Sequence, residues 1–229
     1  MDKYGSAHEW PHGGGPLWLH PDDDLAPNRP GEHLHARLAS YEAHAGSPGA
    51  PRVWAARLTG RTDQAAVWRG QLAGQQEVGD ALESMTGGGW RVLHAIPLPS
   101  HSVISHLLIG PGGVFTLRTE HHRRAHVRVG HDSVRVGRRR HEPYVRLARR
   151  EAQAASLALS RGCDVMVEAQ PVLVFAAVSR ITVTPEAGSV RVMREGEVTR
   201  LGEGVAVWKP PEIEAVYAVA RDRRTWTRL

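Results

Sequence analysis

Between Gly74 and Met85 the chain reads GQQEVGDALESM, and Gln75, Val78, Leu82 and Met85 recur at spacings of three and four, with Ala81 beside them. That period predicts a helix whose inner stripe includes Gln75 and whose acidic residues Glu77, Asp80 and Glu83 point to solvent. The helical pattern starts near Arg52, and TGGG (Thr86–Gly89) ends it. Beyond it the apolar residues alternate or run together. Trp90–Leu98, Val103–Gly110 and Gly113–Thr119 read as a three-strand meander, the last two strands joined by Pro111-Gly112-Gly113. His126–Val129 and Ser133–Val136 read as a hairpin around GHD. Glu142–Gly162 reads as a long helix, with Pro143 near its start and Gly162 as its stop. Pro171–Val178 is continuously apolar, the pattern of a strand covered on both faces. Ser189–Glu195 reads as a further strand and Pro210–Arg224 as a closing helix.

Helix, meander, hairpin, helix, buried strand and helix, in that order, predict an α/β fold: a mixed β-sheet flanked by helices. Residues 1–52 are different. They are rich in Gly, Pro, His and Asp, with weak periodicity, and are expected to form an irregular, partly ordered N-terminal arm with a short helix near His33–Ala45. The acidic run Asp22, Asp23, Asp24 reads as a solvated turn leading into that helix. Residues 53–229 are expected to make the folded domain.

Composition narrows the picture. The 229 residues are enough for a sizeable core. A single cysteine, Cys163, excludes an internal disulfide and a cysteine-rich zinc site. No stretch has the length a membrane helix needs, and the N-terminal residues lack the apolar core of a signal peptide, so a soluble cytoplasmic protein is expected. The formal net charge is +5, and Lys3 and Lys209 are the only lysines among 29 cations. The Ala, Gly and Arg richness has the look of high-GC, actinobacterial coding, so the charge informs mainly through its placement.

The stretches GQQEVGDAL, GWRVLHAIPLP (Gly89–Pro99) and ISHLLIGPGGVFTLRT (Ile104–Thr119), with the long helix after the hairpin, resemble the nuclease-related domain (NERD) family. The resemblance spans roughly Trp68–Ala177, and HLLIGPGGVF (His106–Phe115) is its most specific piece. It implies a restriction-endonuclease-like fold of the PD-(D/E)xK kind, with acids holding a divalent metal and a lysine beside them. The family's four positions carry over one at a time. The helix glutamate after a glycine is Gln75 here, following Gly74. The aspartate before the histidine of the second strand is Ser105, before His106. The acid near the end of the third strand is Arg118, and the lysine two residues on is Glu120. All four differ from the family pattern, so the resemblance implies a frame with a degenerate catalytic set.

Metal-dependent phosphodiester hydrolysis needs carboxylates to hold the ion that activates water and neutralises the phosphate. No Asp or Glu occurs between Glu83 and Glu120, and no lysine between Lys3 and Lys209. Strand alternation puts Val114, Thr116, Arg118 and Glu120 on one face. A cation there repels another ~4 Å away by about 4 kcal/mol at an effective dielectric of 20, and repels a dication more. The expectation is therefore no cofactor, with magnesium or manganese needed only by an alternative in which ligands have moved to Glu120, His121, His122 and His126, with His106 as a further candidate. No nucleophile motif competes, since Ser105 and His106 are adjacent on a strand and point apart, and there is no GxSxG elbow.

From Arg118 to Arg150 there are eleven arginines against three acids, giving +8, so the rest of the chain carries −3. Arg118, Arg123, Arg124, Arg128, Arg135, Arg138, Arg139, Arg140, Arg146, Arg149 and Arg150 are the candidate nucleic-acid contacts, and the competing reading is an arginine-rich solvated surface. In HVRVGHDSVRV the valines are expected to pack inward and Arg128 and Arg135 outward. Three readings follow. One is a nuclease-fold domain without nuclease chemistry that binds DNA or another nucleic acid irrespective of sequence. The second is a divergent metal-dependent nuclease. The third is a protein-interaction scaffold, whose partner the residues do not specify.

Overall fold

The stripe through Gln75 folds as expected: Gln75, Val78 and Leu82 are buried on a helix while Glu77, Asp80 and Glu83 are exposed. The structure, a computed structural model, describes residues 19–45, 64–99, 102–138, 140–188 and 190–227. Helix α1 spans Glu32–Ala45 and packs on α2, Gln64–Glu83. The expected start near Arg52 lies outside the described residues. Gly89 adopts φ 82° after a turn of 3-10 helix at Thr86–Gly88, a left-handed geometry that suits glycine and turns the chain into the sheet.

Strands β1 (Arg91–Pro97), β2 (Val103–Gly110) and β3 (Gly113–His121) form the meander. Pairing is antiparallel, with His94 opposite His106 and His106 opposite Leu117. Strands β4 (His126–Val129), β5 (Val134–Val136) and β6 (Arg140–Glu142) follow. Helix α3 (Tyr144–Cys163) then crosses over to β7 (Ala169–Ala176), which pairs parallel to β3. After β8 (Arg180–Val183) and β9 (Arg191–Arg194), helix α4 (Pro210–Ala220) closes the fold. The main sheet runs β1-β2-β3-β7-β9 and the smaller one β6-β5-β4-β8.

Burial follows strand alternation. Leu107, Ile109 and Val114 face α3 and α4 in one core with Leu159, Ile213, Val216 and Trp226. Leu108, Phe115, Leu117, Val172 and Val174 face α2, against Val78 and Leu82. Leu173 and Phe175, on the other face of β7, meet the small sheet's Val127, Val129 and Val134. Thus β7 is covered on both sides, as its apolar run requires. Strands β6 and β8 were not expected from the sequence, and the closing helix stops at Ala220 rather than Arg224. The stop is local: Asp222 accepts a hydrogen bond from the Arg224 backbone and caps a separate 3-10 turn, Arg223–Trp226.

Candidate functional site

Strand β3 ends in TLRTEH, and alternation throws Arg118 and Glu120 to the same face. Helix α3 brings Glu151 against them. Its buried stripe runs Tyr144, Ala148, Glu151, Ala152, Ala155, Leu159, so a carboxylate occupies a position that small apolar residues hold elsewhere on the helix. The Arg118 guanidinium lies between the two acids. Its Nε is 2.8 Å from Glu120 Oε1, and its Nη1 donates a hydrogen bond to Glu151 Oε1. The guanidinium carbon is also 5.7 Å from the centre of the Tyr144 ring. Side-chain exposure is 20% for Arg118, 9% for Glu120 and 3% for Glu151, so the three charges depend mainly on one another for solvation.

Burial pushes Glu120 up to about 7, against the opposing pull of Arg118 and the Tyr144 hydroxyl. Burial likewise raises Glu151 to about 7, against Arg118, with the nearby Glu120 charge adding to the rise. The cluster borders a cavity of about 700 Å³ whose lining includes Gln75, Ser105, Arg118, Glu120, His122 and Tyr144. All four family-equivalent positions therefore meet at this one cavity. Gln75 and Ser105 are buried, and Gln75 Oε1 has no hydrogen-bond partner among the described residues. Arg37, Arg123 and Arg140 also border the cavity.

Glu151 is the participant that sequence reasoning missed. Two carboxylates converge on Arg118, Glu120 from β3 and Glu151 from α3. The readable signal was a glutamate on the inner stripe of an alanine-rich helix.

These residues, as they stand, do not fit a divalent ion. The guanidinium occupies the space between the carboxylates, and no group of three or more His, Cys, Asp or Glu side chains suited to a metal occurs among the described residues. The candidate relocated ligands are held apart. The His121 ring packs against Gly70 and Gly74 of α2. His122 Nε2 sits 3.1 Å from the Tyr144 hydroxyl, and burial lowers its pKa to about 4. His126 Nε2 is 2.9 Å from Thr182 Oγ1 on the small sheet. His106 Nδ1 is 2.8 Å from His94 Nδ1 across β1 and β2.

The arginines separate into distinct settings. Arg128 and Arg135 are exposed and lie directly opposite each other across β4 and β5, while Val127, Val129 and Val134 are buried, as the alternation predicts. No carboxylate pairs with either arginine among the described residues. Arg140 pairs with Glu142. Arg149 pairs with Asp132 at 2.8 Å and donates to the Ala187 carbonyl. Arg123, Arg124, Arg138, Arg146 and Arg150 are exposed, and Arg139 lies outside the described residues.

Fold and site together define a mixed α/β domain whose main sheet gathers a buried charge cluster where β3 leaves it. Residues 70–176, from α2 to the last residue of β7, match the model of the NERD family, the nuclease-related domain. No match was found among curated proteins or among solved structures. No helix among the described residues is long and apolar enough to cross a membrane.

Proposed function

We propose that this chain is a nuclease-related domain that binds nucleic acid irrespective of sequence and does not cleave it by a metal-dependent route. The arrangement of Arg118 between Glu120 and Glu151 carries the second half of this reading, because the acids that would hold a catalytic ion are engaged by a fixed cation. The first half is supported by Arg128 and Arg135. Like charges directly opposite in an antiparallel pair destabilise a sheet. Here they face solvent with no acid beside them among the described residues, which suits a face that meets a polyanion. Such contacts go to phosphates, release counterions and weaken steeply with salt. Arg140 and Arg149, engaged with Glu142 and Asp132, are weaker candidates than their place in the basic stretch suggests.

The test has two arms. Purified protein incubated with plasmid and magnesium or manganese is expected to leave the plasmid intact. Anisotropy titrations on two duplexes of unrelated sequence are expected to give equal affinities, with a salt slope that falls by about 2 in the Arg128→Ala/Arg135→Ala variant. Cleavage that disappears in Glu120→Gln would establish the divergent nuclease instead. No binding at low salt would leave the scaffold reading.

A further inference from the structure

We propose that the outward face of the small sheet is a docking surface for double-stranded nucleic acid, held by its phosphate backbone, and that this surface is turned away from the cavity at the end of β3. The inference rests on the nucleic-acid binding proposed above and gives that binding its place and its partner.

Register places the cations in rows. Arg128 on β4 stands opposite Arg135 on β5 and Thr182 on β8, and Arg135 stands opposite His141 on β6. His126, two residues before Arg128, stands opposite Arg180. Side chains directly opposite each other share a face, and so do residues two apart on one strand. Arg128, Arg135, His126, His141 and Arg180 are all exposed, while Val127, Val129 and Val134 fill the buried side. The one acid in these four strands is Glu142, which stands opposite Val134 on the inner side and pairs with Arg140. Three arginines therefore project from β8, β4 and β5 with no carboxylate in their rows among the described residues.

Neighbouring residues on β6 mark the boundary with the cavity. Arg140 borders the cavity, whereas His141 projects to the other side of the strand. None of the residues in these rows lines the cavity. A polyanion lying on the sheet therefore stays outside the cleft where the family-equivalent positions meet. Two features of the face select a duplex. Paired strands lie about 4.8 Å apart, so the face from β6 to β8 is about 14 Å across. That exceeds the minor groove, about 6 Å wide, and lets the cations reach phosphates on both sides of it. The four strands also contain no Phe, Tyr or Trp, the rings on which single strands stack their bases. A duplex presents a charge about every 1.7 Å along its axis and needs no such platform. A phosphate set between Arg128 and Arg135 also relieves the repulsion of the opposed guanidiniums.

The experiment titrates the full-length protein into a short labelled DNA duplex, and into one of its strands alone, at low salt with anisotropy as the readout. The duplex is expected to bind roughly tenfold more tightly than the single strand. Arg180→Ala is expected to lower the salt slope for the duplex by about 1. Arg135→Glu places an acid opposite Arg128, so its melting temperature is expected to hold or rise while its duplex affinity falls about tenfold. Arg37→Ala, on the cavity wall, is expected to bind as the native protein does. The proposal is overturned if the single strand binds as tightly as the duplex, or if Arg180→Ala and Arg135→Glu both bind the duplex like the native protein. It is equally overturned if Arg37→Ala weakens binding more than Arg135→Glu does, because the duplex then lies in the cleft. In each of these cases the protein still binds nucleic acid and the earlier reading stands. Failure of the native protein to bind either form overturns both.

Discussion

His94 and His106 share a short contact across β1 and β2, and neither can become charged cheaply. Burial lowers both pKa values, and for His106 the neighbouring His94 and His33 lower it further. Glu83, 3.2 Å from His94 Nε2, pulls the other way on that ring. In the unfolded chain each imidazole accepts a proton near its ordinary value of 6.5, whereas folded His106 does not. The unfolded state therefore binds more protons below that pH, and the stability contributed by a neutral His106 is lost as pH falls from 6.5. The raised carboxylates of Glu120 and Glu151 act with the opposite sign, so a comparison of variants isolates the histidine. The melting temperature of His106→Gln is expected to drop less than that of the native chain between pH 7 and pH 5 (roughly the window set by an unperturbed imidazole). Equal drops in circular dichroism melts would refute the assignment. At this scale the sequence revealed orientation better than partnership. The inward face of Gln75 and the opposite faces of Ser105 and His106 followed from period alone. The pairing of Glu151 with Arg118 did not, because the two are 33 residues apart and on different elements.

Helix α2 can lie close to its neighbours because glycines occupy its contact points. A Cβ on Gly74 would stand 3.0 Å from that of Ala176 and 3.3 Å from that of His121. At Gly70 a Cβ would press on the His121 ring, and at Gly79 on the Pro30 ring. Gln71 completes the fit by donating to the Thr119 carbonyl and accepting from the His121 backbone, so α2 ties down the end of β3 from which Arg118 and Glu120 project. Gly79→Ala is expected to cost about 1–3 kcal/mol by overpacking against Pro30. Urea unfolding would show a lower midpoint with an unchanged slope, and an unchanged midpoint would mean that the 19–31 segment yields freely. Elements that carry their own pattern were legible, and β2 occupies the expected residues 103–110. Strands β6 and β8 were not. Each has only three or four residues, and β8 is held by parallel pairing to β4, with His126 opposite Arg180. A pairing across that separation leaves no local period to read.

Across the whole molecule, the chain reaches back to its own far end. Leu25 is fully buried in the same core as Trp226, Ile213 and Val216. Its backbone N–H donates to the Arg221 carbonyl at 2.8 Å, and the Asp24 carboxylate pairs with the Arg221 guanidinium. The Arg221 hydrogen bond, opposed by burial, holds the Asp24 pKa below its ordinary value. Asn28 donates to the carbonyls of His94 and Ala95, where Ala95 adopts φ 51° and the pairing of β1 with β2 skips Ala95 without a change of register. These contacts involve residues on both sides of the segment 70–176 that matches the family. The apolar face of β1 and β2 is thus completed by residues from outside that segment. Two substitutions separate the apolar part of this clasp from its ionic part. Leu25→Ala removes a fully buried side chain and is expected to cost about 3 kcal/mol. Asp24→Asn weakens a partly exposed ion pair and is expected to cost about 1 kcal/mol or less. The difference is measurable as the separation of two denaturant midpoints. If Asp24→Asn proved the costlier change, the clasp would be held by charge, and burial of Leu25 would be its consequence rather than its cause.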